Sequence, residues 1–456
     1  MMIKQLEKFL VPLAEAIGKN KYLVSIRDGF LVTTPLLIAG SIFLLIGEFP
    51  IPAWTDWLNS VIVDQKAGLT LAAFIEKPSS ATFSIMAVFA VVAIAYSFAK
   101  QLKTNAIFAS VVAAMSWFLL VPYLVEGTNQ IGGKEVAVNL PGIPLAWSGA
   151  KGIFVGILIA FATVHLYAWV EKKGWVIKMP AGVPPTVVES FAALIPVTIV
   201  MTAVFVLNLI FGFLGTNVFQ IIFDFLQTPM VNLGGTLGAS LTAFFFNGLF
   251  WFFGINGGAV VGAVYGPVLA TLSLDNIEFF KTGAGTPHII NGQFQDLFAV
   301  FGGAGSTLSL IIAMLIFCKS KRITNLGKLS LIPGIFGINE PIIFGLPIVL
   351  NPVMILPFML VPMFNILVSY TAMSIGLVPI CNGVTIPWTT PPIISGFLAT
   401  DWRGAVLQAI LIAAGVLIYM PFIKAMDKQY LQDEVTAAEE NAADDIDLDD
   451  LSFDDL

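Results

Sequence analysis

Long apolar runs separated by short polar segments dominate the chain. A helix that crosses a lipid bilayer needs about 20 consecutive apolar residues. By that criterion the sequence predicts about ten spans, with approximate boundaries at residues 29–48, 81–99, 105–125, 152–170, 191–214, 236–254, 257–273, 297–318, 353–376 and 403–424. The pattern therefore predicts an all-α polytopic membrane protein.

The basic residues indicate how these spans are oriented. Clusters of them follow the even-numbered spans, at Lys100 and Lys103, at Lys172, Lys173 and Lys178, at Lys319, Lys321, Arg322 and Lys328, and at Lys424 and Lys428. Cytoplasmic loops of membrane proteins are enriched in Lys and Arg. We therefore expect an even number of spans with both termini in the cytoplasm. On the opposite face, residues 126–151 predict a short hairpin.

Composition supports a membrane location. Of the 456 residues, 57% are hydrophobic and only 11% are charged, whereas soluble proteins carry about 25% charged residues. The net charge of −7 comes from the acidic stretch 433–456, which lacks Lys and Arg. The remaining body is mildly basic, which suits contact with anionic membrane lipid. The sequence offers no metal-ligand set, no cofactor motif and no nucleic-acid-binding pattern.

The chain divides into four segments that differ in composition. Residues 1–28 predict an amphipathic helix on the cytoplasmic membrane surface, or else a simple tail. The spans in 29–231 are plain and apolar, which favours a scaffold or subunit interface. In 232–428, Gly, Asn, Thr and Pro occur inside apolar runs, which favours a binding site. The acidic segment 429–456 predicts a disordered tail, either solvated or docking a partner.

The stretch 331–352 is the first of four candidate sites. It is apolar, yet it contains several glycines and prolines and the sequence Asn339-Glu340-Pro341. Broken backbone at membrane depth is tolerated only where it is buried in protein or lines a cavity. An ionisable group at that depth indicates function. Glu340 could accept hydrogen bonds from sugar hydroxyls or act as a general base; it could also simply cap a half-helix or lie in an interfacial loop.

The second candidate combines aromatic residues, an amide and paired glycines in residues 247–258. A sugar presents C–H faces to aromatic rings and hydroxyls to amides. Trp251 and Asn256 are the functional candidates here, whereas Phe250, Phe252 and Phe253 are better explained by packing.

The third and fourth candidates lie on either side of the first along the chain. Residues 381–396 form a second broken, polar hairpin candidate, in which Trp388 either stacks on a sugar or anchors an interfacial loop. The loop at His288 is polar and leads to Asp296, so His288 belongs either to a functional polar cluster or to the structural core. The glycine run 302–307 lacks the Gly-Lys-Ser/Thr ending of a phosphate loop, so close helix packing explains it better.

Together these motifs resemble the membrane (IIC) component of bacterial sugar phosphotransferase systems, in the lactose/cellobiose/diacetylchitobiose branch. The resemblance rests on residues 337–347, on 250–255, on Pro287-His288-Ile289 and on 301–308. It implies about ten transmembrane helices with two re-entrant hairpins, near 331–352 and 381–396. It also implies a homodimer formed by the first half of the chain, and an elevator-like movement of the second half in the bacterial cytoplasmic (inner) membrane.

The resemblance further implies what the residues do. Glu340 lies beside the reacting sugar hydroxyl, and Asn339, Trp251, Asn256, His288 and Trp388 belong to the sugar site. The substrate is a β-linked disaccharide, and a phosphorylated IIB partner supplies the phosphoryl group. This chain is then the transporter subunit of a sugar phosphotransferase complex, with no cofactor of its own.

One departure from the family pattern keeps a second function open. The family usually has His where this chain has Asn256, and Asn binds a hydroxyl but does not titrate. A non-phosphorylating sugar facilitator or an ion-coupled carrier is therefore the alternative.

Overall fold

The computed structural model describes residues 19–47, 52–131, 134–180, 182–283, 285–346, 348 and 351–449. The chain forms two compact units. The first unit comprises Met1–Ser240, Ala259–Gln293 and Ile380–Ile386, and the second unit comprises Leu241–Gly258, Phe294–Pro379 and Pro387–Leu456. Each unit is thus assembled from segments that are distant along the chain.

The helices fall into three groups by unit. Those of the first unit are α1 (Lys21–Gly47), α2 (Pro52–Ser60), α3 (Leu71–Phe83), α4 (Met86–Leu102), α5 (Ala106–Leu120), α6 (Leu145–Ser148), α7 (Ile153–Lys172), α8 (Pro185–Phe213), α9 (Val218–Ile222) and α10 (Thr228–Gly234). Those that pass from one unit into the other are α11 (Leu237–Phe252), α12 (Gly257–Lys281) and α13 (Gly292–Phe294). Those of the second unit are α14 (Thr307–Phe317), α15 (Lys321–Ile335), α16 (Glu340–Gly345), α17 (Pro352–Ser374), α18 (Ile394–Ala399) and α19 (Trp402–Asp449).

Two antiparallel hairpins interrupt the helices of the first unit. Strand β1 (Ile62–Asp64) pairs with β2 (Leu69–Thr70), and β3 (Leu124–Ile131) pairs with β4 (Lys134–Pro141). The register of the second pair runs from Leu124 opposite Pro141 to Ile131 opposite Lys134. The predicted hairpin is confirmed, although it begins two residues earlier and ends well before residue 151.

Small residues organise the core of the first unit. Helix α4 packs against α1 and α7, where a Cβ atom on Gly29 would clash with Ile94 Cγ1, and one on Gly156 would lie 2.7 Å from Val91 Cγ2. Small residues at helix interfaces let membrane helices approach closely when no water drives their association. Trp117 fills the adjoining core and contacts Phe219, with ring centroids 5.3 Å apart.

The core of the second unit is built on α14, α17 and α19. Helices α14 and α19 lie close together, since a Cβ atom on Gly415 would lie 2.5 Å from Ser309 Oγ. Ser309 Oγ donates to the Ile412 carbonyl at 3.1 Å, and Tyr419 OH donates to the Gly305 carbonyl at 2.6 Å. These bonds satisfy polar groups that lipid cannot satisfy.

Helix occupies part of every predicted span. Among the described residues, eight helices are long and apolar enough to cross a membrane, or nine if the bent pair Val218–Gly234 and Leu237–Phe252 forms one span. That pair bends by 75°, and α5 has only 15 residues. The protein is therefore a mostly helical chain with several candidate membrane helices, and the finer count of ten stays a prediction.

The two ends of the chain differ in how much the structure describes. Residues 1–18 and 450–456 lie outside the described residues, so most of the predicted amphipathic N-terminal segment is not described. The backbone of α19 is helical through Asp449, whereas the acidic composition predicts disorder from residue 429. Ala, Leu and Glu, which recur there, are strong helix formers.

Helix α19 also holds the start of α15. Asp427 is buried, and its carboxylate accepts hydrogen bonds from the backbone N–H groups of Lys319 at 3.0 Å and Ser320 at 2.8 Å. Two turns further on, Glu434 accepts from Ser320 Oγ at 2.7 Å and from the N–H of Arg322 at 3.0 Å. Carboxylates at a helix N-terminus satisfy its unpaired donors and complement its dipole.

We expect Asp427→Ala to destabilise the protein by about 1–3 kcal/mol, because it leaves the backbone N–H of Lys319 and the buried N–H of Ser320 without their acceptor. The measurement is the midpoint of unfolding in detergent. Asp433→Ala, an exposed change on the same helix, is the control and should be nearly neutral. Equal midpoints for the two variants would show that the Asp427 bonds do not stabilise the second unit.

Candidate functional site

A cavity of about 210 Å³ lies in the second unit. It forms where three backbone segments outside regular α-helix meet, and its walls include Asp296, Gly302, Gly303, Gly337, Trp388 and Thr390. These residues come from three of the four stretches that the sequence singles out. The structure therefore brings together chain segments that lie almost a hundred residues apart.

Trp388 forms one wall of this cavity. Its side chain is 57% exposed, and its ring lies against the backbone of Gly337, where an added Cβ atom would be 3.0 Å from Trp388 Cε3. Gly337 has a φ of +83°, a conformation that glycine adopts without steric cost. The ring is thus supported by backbone while much of its surface stays open to a ligand.

Asn339 holds two of the segments together. It is 6% exposed, and its Nδ2 donates to the Ala304 carbonyl at 2.9 Å. Gly303, with a φ of +88°, lies so close that an added Cβ atom would be 2.7 Å from Asn339 Cγ. The Asn339 carbonyl accepts from the N–H groups of Ile342 and Ile343, each at 3.0 Å. Asn339 therefore connects the glycine run to the start of α16.

Glu340 is the first residue of α16, directly after Asn339. The early proline, Pro341, suits that position because the first helical N–H groups have no partner within the helix. The side chain of Glu340 lies outside the described part of the structure, so its predicted role as a base stays a prediction. Its backbone position is nevertheless fixed by the Asn339 contacts.

Trp251 lies on α11 beside the core of the second unit. Its indole Nε1 is buried and has no hydrogen-bond partner among the described residues. One helical turn earlier, the buried Asn247 Oδ1 also has no partner among them. Buried polar atoms are nearly always paired, so this open donor and open acceptor call for an explanation. Trp251 does not line the cavity beside Trp388, so its predicted contact with sugar stays a prediction.

Asn256 lies in the exposed turn between α11 and α12. An added Cβ atom on Gly258 would be 3.4 Å from Asn256 Oδ1, which is ordinary contact. Asn256 does not line the cavity that Trp388 and Asp296 line. Its predicted contact with sugar stays a prediction.

His288 belongs to the first unit, unlike the other candidate residues. Its backbone N–H donates to Asn276 Oδ1 at 2.9 Å, and its carbonyl accepts from Asn276 Nδ2 at 2.7 Å. Its ring Nε2 lies 3.4 Å from Asp275 Oδ2. Asn276 Nδ2 also donates to the Cys381 carbonyl at 3.0 Å. The buried Asn276 thus fixes the His288 loop and the segment around Cys381 in one place.

The site contains amides that the sequence analysis did not single out. Gln408 in α19 and Asn365 in α17 are fully buried, and both bond to backbone carbonyls of the cavity region, at Leu297 and Ala299 respectively. Their position in the middle of apolar spans could have identified them in the sequence, because an amide at membrane depth is costly unless it is hydrogen-bonded. Among the described residues, no group of three or more His, Cys, Asp or Glu could hold a metal ion.

We expect Gly303→Ala to destabilise the protein by about 1–3 kcal/mol more than Gly376→Ala, because only the former inserts a methyl group into close packing. Both glycines have positive φ, at +88° and +74°, but Gly376 has no atom within 4 Å of an added Cβ. Gly303 also has a ψ of −170°, in a region that is essentially exclusive to glycine, so backbone strain and close packing both act against alanine at this position. Unfolding midpoints in detergent check the difference, and identical midpoints would mean that the Asn339 contact is dispensable.

Comparison with known proteins agrees with the resemblance read from the motifs. The family described as Phosphotransferase system, EIIC matches residues 27–362. The chain is 40% identical to the oligo-beta-mannoside-specific EIIC component of a PTS system of Bacillus subtilis (strain 168), over 97% of this chain and 98% of the relative. It is 39% identical to the cellobiose-specific EIIC component of Geobacillus stearothermophilus, over 96% of both chains.

A solved structure extends the agreement to the fold. The protein is similar to the crystal structure of the transporter ChbC, the IIC component from the N,N'-diacetylchitobiose-specific phosphotransferase system. The TM-score is 0.87 at 38% sequence identity, covering 94% of this chain and 99% of that one. The predicted family is thus confirmed by the family match, by the relatives and by the fold: the chain belongs to the phosphotransferase system EIIC family.

Proposed function

We propose that the chain is the sugar permease of a phosphotransferase system, which binds a β-linked disaccharide and carries it across the membrane for phosphorylation by a partner IIB protein. The observation that carries this proposal is the cavity of the second unit, with the exposed Trp388 ring on one wall and the Asp296 carboxylate among its lining groups. The relatives support the sugar class, since cellobiose, oligo-β-mannosides and diacetylchitobiose are all β-linked.

The cavity offers the two kinds of contact that a sugar needs. Trp388 presents an aromatic face on which the C–H face of a pyranose ring stacks. Asp296 and Thr390 present oxygen atoms to its hydroxyl groups. A few convergent polar groups against an aromatic wall are typical of small-molecule sites. Cellobiose and diacetylchitobiose are the first sugars to test.

Glu340 acts as the base in this proposal. Asn339 fixes the backbone at the start of α16, so the residue after it keeps a constant position relative to the cavity wall. A carboxylate placed there removes the proton from the sugar hydroxyl that receives the phosphoryl group from IIB. Asn339 then serves mainly to position Glu340. Trp251, Asn256 and His288 are the further sugar contacts, and the open indole N–H of Trp251 suits a hydroxyl.

The same proposal includes the finer architecture. The chain crosses the bacterial cytoplasmic membrane with about ten spans, keeps both termini in the cytoplasm, and carries two re-entrant hairpins, near 331–352 and 381–396. Residues 29–231 form a homodimer, and the sugar-binding half moves in an elevator-like way. The large apolar side chains that α8 exposes, such as Phe205 and Phe213, support a surface that faces lipid or a second copy.

Asn256 favours one alternative function. If the histidine usual at this position takes part in proton transfer, a chain with asparagine there could move free sugar without phosphorylating it, as a facilitator or an ion-coupled carrier. The two functions differ in whether transport needs a phosphate donor.

We expect Glu340→Gln to lower the rate of sugar phosphorylation by about 100-fold or more, because it removes the general base, while sugar affinity changes much less. Phosphorylated IIB and sugar are mixed with the purified protein, and sugar phosphate is counted in a single turnover. Glu278→Gln, an exposed carboxylate of the first unit, is the control and should keep the full rate. Full phosphorylation by Glu340→Gln would exclude the base role.

We expect Trp388→Ala to weaken sugar binding by about tenfold or more, since it removes the stacking face. Trp388→Phe keeps an aromatic ring and should recover most of the affinity. Trp402→Ala is the matched control, because Trp402 is also highly exposed in the second unit, at 64%, but does not line the cavity. Equilibrium binding of labelled cellobiose checks all three, and equal loss in both Ala variants would place the sugar elsewhere.

A further inference from the structure

Gln408 is a fully buried amide in α19 whose hydrogen bonds reach two separate walls of the cavity. Its Oε1 accepts from the backbone N–H groups of Ile393 at 2.5 Å and Gly396 at 3.0 Å. Its Nε2 donates to the Leu297 carbonyl at 2.8 Å and to Ser395 Oγ at 3.1 Å. Leu297 and Ser395 both line the cavity. One side chain therefore connects the wall after Trp388 with the wall at Asp296.

The Ile393 bond lies at a strained point of the backbone. Ile393 has a φ of +76°, and a β-branched residue with positive φ is a steric outlier. Such conformations persist only where the surroundings hold them, and they cluster at ligand sites. The side chain of Ile393 is half exposed, so packing restrains it less than it would restrain a buried residue. The bond to Gln408 Oε1 is the contact that restrains this N–H.

The surrounding glycines leave room for this one amide. An added Cβ atom on Gly396 would lie 2.6 Å from Gln408 Cδ, and one on Gly404 would lie 2.8 Å from the Gly396 carbonyl oxygen. Helices α18 and α19 therefore meet at glycine positions, with the Gln408 amide in contact with the backbone. Only an amide offers both a donor pair and an acceptor at one planar group, and both sides are used here.

We propose that Gln408 is a positioning residue that sets the width of the sugar cavity. It holds the Trp388–Ser395 segment, with its strained Ile393, at a fixed distance from the Asp296–Leu297 segment. The inference rests on the proposed function, in that the cavity is the sugar site. Gln408 itself is buried behind the walls and acts on the sugar through Trp388 and Asp296.

The test begins with Gln408→Met, which keeps the volume and removes every polar contact. We expect sugar affinity to fall about tenfold or more, while the phosphorylation rate at saturating sugar stays within about twofold of wild type. Gln227→Met is the matched control. Gln227 is equally buried, but it lies in the first unit and its Nε2 bonds to the Ala150 carbonyl; its loss should lower stability without changing sugar affinity.

A second substitution separates positioning from general stability. Glycine adopts positive φ freely, so Ile393→Gly added to Gln408→Met should recover at least about threefold of the lost affinity, because the segment no longer needs the bond to keep its conformation.

Gln408→Glu keeps an acceptor for Ile393 and Gly396, and should bind sugar better than Gln408→Met. Should Gln408→Met fail to fold, Gln408→Glu carries the test alone, because it removes the N–H donor to the Leu297 carbonyl and should therefore bind sugar more weakly than wild type; unchanged affinity would overturn the proposal.

Hydrogen exchange provides a readout that does not depend on sugar. Amides of residues 393–396 should exchange about tenfold faster in Gln408→Met than in wild type, since two of them lose their acceptor, whereas Gln227→Met should leave them unchanged. Unchanged exchange together with unchanged affinity overturns the proposal. If wild type binds no sugar but exchange still accelerates, the proposed function fails while the structural role of Gln408 stands.

Discussion

The hydrogen bond from Asn339 Nδ2 to the Ala304 carbonyl joins the glycine run of the second unit to the start of α16. A membrane protein has no water within the bilayer to satisfy broken backbone, so segments without regular helix must satisfy one another. Asn339 does this across the glycine run, and Gly303 allows the approach because it has no side chain at a position where a Cβ atom would meet Asn339. The cavity beside Trp388 exists because these segments close on each other while leaving polar and aromatic groups exposed between them.

Much of the fold follows from the periodic placement of apolar residues. The predicted spans all contain helix, because runs of about 20 apolar residues have few other stable states in a membrane. The apolar pattern does not record the 75° bend between Val218–Gly234 and Leu237–Phe252. The first helix ends at Gly234 and Gly235, and Thr236 Oγ1 caps the second helix by accepting from the Ala239 N–H. The tail differs for another reason: its net charge predicts disorder, whereas its content of Ala, Leu and Glu favours the helix that continues to Asp449.

The sequence also predicted part of the candidate site. Glycines, prolines, amides and tryptophans inside apolar stretches are costly, and Trp388 and Asn339 could be selected on that ground alone. Their meeting could not be predicted, because Asn339 and Ala304 are separated by 35 residues and Gln408 and Leu297 by 111. For the same reason the sequence grouped His288 with Asp296, although the structure assigns them to different units. Local pattern identifies which groups are unusual; the packing of distant segments decides which of them share a cavity.

The family assignment rests on the whole chain, whereas the proposed site rests on a few contacts in the second unit. The central proposal is that sugar is bound at this site and leaves as a phosphate ester. The most direct measurement is uptake of radiolabelled cellobiose and diacetylchitobiose into vesicles that contain the protein, with and without phosphorylated IIB inside, followed by chemical identification of the product. We expect label to accumulate only with phosphorylated IIB and to be recovered as sugar phosphate. Equilibration of free sugar at the same rate without IIB would contradict it and would make the chain a facilitator.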